Sequence, residues 1–160
     1  MRYLFFLIIL LISNLSHSQI VVDRGGDGWG NKVDSALLLI KKHDPKKYAL
    51  LNLVCKRISI WGGGFSSTED SSILISSSDF KVNSINNIAC AIVHESLHLY
   101  YEKCREVKNC LYPLNNVYEE RQCYLYEYEF FSKLPNGEDW LKLHIQKEIR
   151  RFSEQKQVKD

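Results

Sequence analysis

The chain lacks an excess of charge of either sign: Lys and Arg number 21 against 19 for Asp and Glu, a formal net of +2. Such a balance sets up no strong field to gather nucleic acid or anionic lipid, so a charge-driven nucleic-acid binder is disfavoured. There is no C-x-x-C, so paired zinc-ribbon cysteines are absent. The glycine run Gly62-Gly63-Gly64 lacks the Lys-Ser/Thr ending of a phosphate loop, and nucleotide binding gains no support. No internal repeat is visible. What remains is a chain of 160 residues, 45% hydrophobic, enough for one globular core and too short for two.

The start of the chain is set aside from fold reasoning. Met1-Arg2 is a short basic opening and Tyr3–Ile12 is an apolar run of ten residues, the length of a signal-peptide core and well short of the roughly 20 that span a bilayer as a helix. The polar stretch Ser13–Ser18 follows, with Ser16 and Ser18 at the small-residue positions of a cleavage site. Residues 1–18 are therefore expected to be a signal peptide and 19–160 a single exported domain, periplasmic or secreted, with no stable membrane association after cleavage. Export would mature Cys55, Cys90, Cys104, Cys110 and Cys123 in an oxidising compartment. Cys104 and Cys110 flank a short polar segment and could close a disulfide; Cys90 and Cys123 are expected to be free and packed as small apolar residues.

Periodicity outlines the domain. Asp23–Gly30 is too rich in glycine for regular structure and is expected to be an irregular lead-in. Val33, Ala36, Leu37 and Ile40 form a helical stripe, and Asp44-Pro45 restarts a helix that runs to about Leu53. Val54–Trp61 alternates as a strand does, and Ile73–Ile75 is a second short apolar run; with the glycines between them they suggest a hairpin. Asn83 or Ser84 can cap a helix to about Glu102, whose Ile85, Ile88, Ala89, Ile92, Val93, Leu97 and Leu99 cover most of its circumference and place it centrally. Cys104–Asn116 is expected to be a loop. Val117–Leu134 is expected to be helical, and Glu138–Ser153 to be an amphipathic helix with Trp140, Leu141, Ile145, Ile149 and Phe152 on one side. The fold class expected is α+β, helical with a short antiparallel sheet preceding the central helix.

Inside that apolar helix lies His94-Glu95-Ser96-Leu97-His98, an H-E-x-x-H sequence. Residues four apart share a helix face, so both imidazoles can bind one zinc ion while Glu95 projects beside them as general base toward a metal-activated water. Burying two histidines and a glutamate among Ile92, Val93, Leu97, Leu99 and Tyr100 would be costly unless something satisfied them, and a metal does.

On these residues the chain resembles the zincin metallopeptidases. The metzincin continuation fails, because Tyr101 and Cys104 stand where that pattern has a glycine and a third histidine. The gluzincin pattern fits better; it takes a glutamate from a separate downstream helix, and Glu120-Arg121-Gln122-Cys123-Tyr124 looks like the corresponding stretch of some small bacterial zincins. The resemblance implies Glu120 as third ligand, with Glu119 as the alternative and Glu127 and Glu129 further off; it implies Zn2+ as cofactor and hydrolysis of a peptide or protein substrate. Cys123 would let the two helices approach closely. Tyr124 stands where many gluzincins have an aspartate that holds a zinc histidine. Tyr112, Tyr118, Tyr126, Tyr128 and His144 are conceivable transition-state donors. The strand Ile73–Ile75 could serve as the sheet edge on which an extended peptide adds. The competing expectations are an exported, non-catalytic envelope or interaction protein with a structural zinc, and an interaction module in which the motif is coincidental.

Overall fold

The computed structural model describes residues 20–23, 28–61, 67–76, 84–106 and 116–157. Residues 1–18, the triple glycine and Cys110 lie outside them, as do the expected cap Asn83 and most of the expected Cys104–Asn116 loop. Among the described residues there are five helices and four strands, an α+β domain as the patterning implies. No helix among them is long and apolar enough to cross a membrane.

Residues 24–27 of the expected irregular lead-in, Asp23–Gly30, lie outside the described residues, and regular structure stands on both sides of them. Val21–Val22 forms β1, with Val21 N–H and Asp23 N–H donating to the carbonyls of Lys56 and Ile58 at 3.0 Å. Gly28 takes a left-handed φ of 74°, available to glycine at little cost, and turns the chain into α1, Trp29–His43. Trp29 is buried at the start of α1 with Val33, Ala36 and Ile40 along the same face, and burying that indole fixes the helix start four residues before the first residue of the aliphatic stripe. Asp44 then caps α2, Pro45–Val54: its Oδ1 accepts from Lys47 N–H at 3.2 Å, with Pro45 at the first helical position as the sequence indicates.

The strands depart from the expected hairpin. β2, Arg57–Trp61, and β4, Ser72–Ser76, pair in parallel, with Ile58 opposite Ile73 and Ile60 opposite Ile75. The hairpin lies elsewhere: β3, Ser67–Glu69, runs antiparallel to β4 through a two-residue turn in which Asp70 and Ser71 both have positive φ, 45° and 62°. That is the mirror-image turn whose twist suits a tight hairpin, made here without the usual glycine. The sheet order is β1-β2-β4-β3, so the expected antiparallel sheet holds for one pair only, and β4 is an interior strand rather than the edge. β3 was hidden in the sequence because Ser-Thr-Glu carries no apolar alternation.

The central helix α3, Ile85–Glu106, runs about a turn beyond its expected end and takes in Cys104 and Arg105. Ser84 caps it, its hydroxyl accepting from Asn87 N–H at 3.2 Å. α4, Asn116–Phe131, stops three residues short of Leu134, its end tightened by Lys133 N–H to Phe130 O and Leu134 N–H to Phe131 O. α5 spans Asp139–Gln157. Leu141 and Ile145 are fully buried, with Ile149 packed against the core, whereas Trp140 is 51% exposed, a hundred degrees off the buried stripe. α3 packs against α1, α2, β3, β4 and α4, and α4 lies between α3 and α5. This central position puts the H-E-x-x-H face against α4.

Candidate metal centre

His94 and His98 sit one turn apart on the α3 face that meets α4, and their Nε2 atoms stand 3.2 Å apart. Glu120 on α4 completes the group: its Oε2 lies 3.5 Å from His94 Nε2 and its Oε1 3.5 Å from His98 Nε2. Two donors bonded to one tetrahedral zinc at 2.0–2.1 Å are separated by about 3.3 Å. The three side chains are thus spaced as ligands of a single ion are.

The opposite ring nitrogens fix the tautomers. His94 Nδ1 faces Glu127 Oε2 at 3.1 Å and His98 Nδ1 faces Glu119 Oε1 at 2.9 Å. A carboxylate accepts, so each Nδ1 carries the proton and donates, and each Nε2 of a neutral ring turns its lone pair inward. A histidine backed by a carboxylate is the usual support of a metal-bound imidazole. Glu119 is itself held by Arg105 Nη1, 2.7 Å from Oε2. With both oxygens so used, Glu119 is placed to orient His98 rather than to serve as the alternative third ligand, and Glu127 is placed likewise behind His94. Glu129 lies apart from the centre, paired with Lys47 at 3.1 Å.

Electrostatics point the same way. Burial opposes charge on His94, but its hydrogen bonds to Glu120 and Glu127 outweigh this and push its pKa up to about 10. Burial likewise opposes charge on His98, yet Cys123, Glu119 and Glu120 raise it further. Glu120 is held far below the carboxylate range, because the two histidines overcome its desolvation. Among the described residues, Arg105 is the one Lys or Arg paired with the carboxylates of Glu95, Glu119, Glu120 and Glu127, so the pocket favours positive charge at the Nε2 pair. A divalent ion would supply it.

Glu95 is buried at 8% exposure, and that burial raises its carboxyl against the pull of His94 and His98. A carboxylate shifted upward beside a metal-ligand pair is suited to accept a proton. The ring of Tyr124 meets His94 edge-on, centroids 4.5 Å apart, and stacks on Phe152 at 5.9 Å, so the tyrosine at the aspartate position packs the imidazole rather than bonding it. Of the conceivable transition-state donors, Tyr126 lies under Lys47 Nζ, 3.0 Å from its ring centre, and the Tyr128 hydroxyl accepts from Gln146 Nε2 at 3.1 Å. His144 is exposed, its ring 6.4 Å from Tyr124, and Tyr112 lies outside the described residues.

Cys55, Cys90, Cys104 and Cys123 are free thiols. Cys104 is half-buried near the end of α3, and its suggested partner lies outside the described residues. Cys90 is an inert buried thiol, its pKa driven up by burial. Cys123 is more than a small spacer, since one ligand atom each of His94, His98 and Cys123 lie within 4.8 Å of one another. The sequence reading missed this and the roles of Glu119 and Glu127. The signal was present, because residues 119, 120, 123 and 127 fall on one stripe of a helix.

Protein-family models give no match to this chain, and neither do curated proteins.

Proposed function

We propose that the protein is an exported zinc-dependent peptide hydrolase, with His94, His98 and Glu120 as metal ligands and Glu95 as general base. The observation that carries the reading is the pair of inward Nε2 atoms 3.2 Å apart, bracketed by Glu120 and backed by Glu127 and Glu119. Zinc bound there supplies Lewis acidity toward a peptide carbonyl and acidifies water. Glu95 takes the proton of the attacking water and returns it to the departing amine, a transfer suited to its raised pKa. Glu119 and Glu127 hold the two imidazoles in the donor tautomer throughout. The β3 edge, tied to α3 one turn past His98 by Thr68 Oγ1 donating to Glu102 Oε1 at 2.6 Å, offers backbone groups for an extended substrate, with β3 in place of the strand first expected.

The test is Glu95→Gln. The variant is expected to keep its zinc and its fold and to lose cleavage of a mixed peptide library. Cleavage at the wild-type rate would refute the assigned base. A second reading, a structural zinc in a non-catalytic exported interaction protein, is favoured by one observation: a ligand atom of Cys123 lies within 4.8 Å of one on each histidine, close enough for the sulfur to share their ion.

A further inference from the structure

We propose that the Cys123 thiolate is a fourth protein ligand of this centre, closing the coordination shell of the resting protein. The inference rests on the metal-site reading above and goes beyond it in naming what occupies the position a water would need. Glu120 and Cys123 are three residues apart on α4, so their side chains lie on one face. That face meets His94 and His98, and one ligand atom each of His94, His98 and Cys123 fall within 4.8 Å of one another. Cys123 is fully buried, and no solvent competes for its sulfur.

Charge argues for the thiolate. Counted over the four ligands alone, two neutral imidazoles, one carboxylate and one thiolate balance a divalent zinc, which lessens the cost of burying the ion. On binding, the S–H bond breaks, its electron pair stays on sulfur as the bond to zinc forms, and the proton leaves to solvent. A shell of four protein ligands is that of a closed zinc site, whereas a catalytic one leaves a position open. Hydrolysis therefore requires the sulfur to leave, and the resting enzyme is latent.

X-ray absorption of the zinc-loaded full chain tests this, beside Cys123→Ser. One sulfur neighbour at about 2.3 Å is expected with the remaining ligands at about 2.0–2.1 Å, and the sulfur is lost in Cys123→Ser while zinc is kept. Zinc bound only by nitrogen and oxygen in the wild type overturns the inference and leaves the three-ligand site standing. A sulfur that persists in Cys123→Ser also overturns it, as another cysteine would be the ligand. Wild-type protein that is folded and retains no zinc overturns the metal-site reading itself. Where sulfur ligation is found, peptide hydrolysis that rises in Cys123→Ser above the wild-type rate supports latency. Hydrolysis undetectable in both overturns latency and the peptidase reading together, leaving the thiolate in a structural site. If Cys123→Ser fails to fold, the wild-type spectrum alone decides the ligation.

Discussion

Removing the carboxylate behind His94 gives the sharpest test of the centre. Glu127 is not a ligand in this reading; it accepts the Nδ1 proton at 3.1 Å and is 6% exposed, so water cannot easily replace it. Losing such a supporting carboxylate weakens metal binding roughly 10–100-fold, or about 1.4–2.8 kcal/mol at 1.4 kcal/mol per tenfold. Glu127→Gln keeps an acceptor but drops the charge, and belongs near the lower figure. Glu127→Ala removes both and belongs near the upper one. Zinc affinity measured by competition with a chromogenic chelator at fixed pH, with near-ultraviolet circular dichroism as the check on fold, reads the difference. Folded Glu127→Gln and Glu127→Ala proteins that bind zinc as tightly as the wild type would refute the orienting geometry.

The same titration should rank Glu120→Ala below Glu127→Ala, because a lost ligand costs more than a lost support; the reverse order would move the ligand assignment. Asp44 caps α2 and pairs with Lys133 at 2.6 Å; although burial raises its carboxyl, the bonds to Lys133 and Lys47 N–H win and hold it below its ordinary 3.8. A lowered acid stabilises the fold above that value and loses its contribution as pH falls through the folded pKa, so Asp44→Asn should cost roughly 1 kcal/mol at pH 7 and progressively less below about pH 4, by urea unfolding. Gly137→Ala would set a Cβ within 2.8 Å of Phe131 Cε2, against a ring buried at the end of α4, and should lower stability by roughly 1–3 kcal/mol in the same assay. Lys47 is buried between Asp44, Glu129 and the Tyr126 ring, and its pKa is lowered chiefly by that burial. Lys47→Met should therefore be close to neutral by thermal unfolding, since it relieves the cost of burying the ion while Glu129 stays in water and Asp44 keeps Lys133.

Local rules in the sequence determined the helices and half of the centre. The Asp44-Pro45 cap, the stripes of α1 and α5 and the apolar α3 follow from 3.6-residue periodicity and capping chemistry. The same geometry settles that His94 and His98 share a face, because i and i+4 must. Strand partnership belonged to the tertiary structure: Ile58 and Ile73 meet in parallel because β3 and its turn are interposed, and a polar three-residue edge strand leaves no mark in hydropathy. The tertiary structure also decided which of several glutamates does what. Glu119, Glu120 and Glu127 are chemically alike in the chain, and only the docking of α4 on α3 puts one between the Nε2 atoms and the other two behind the rings. The roles differ because a carboxylate's task depends on the nitrogen it faces, a distance between residues some twenty to thirty positions apart that no local pattern encodes.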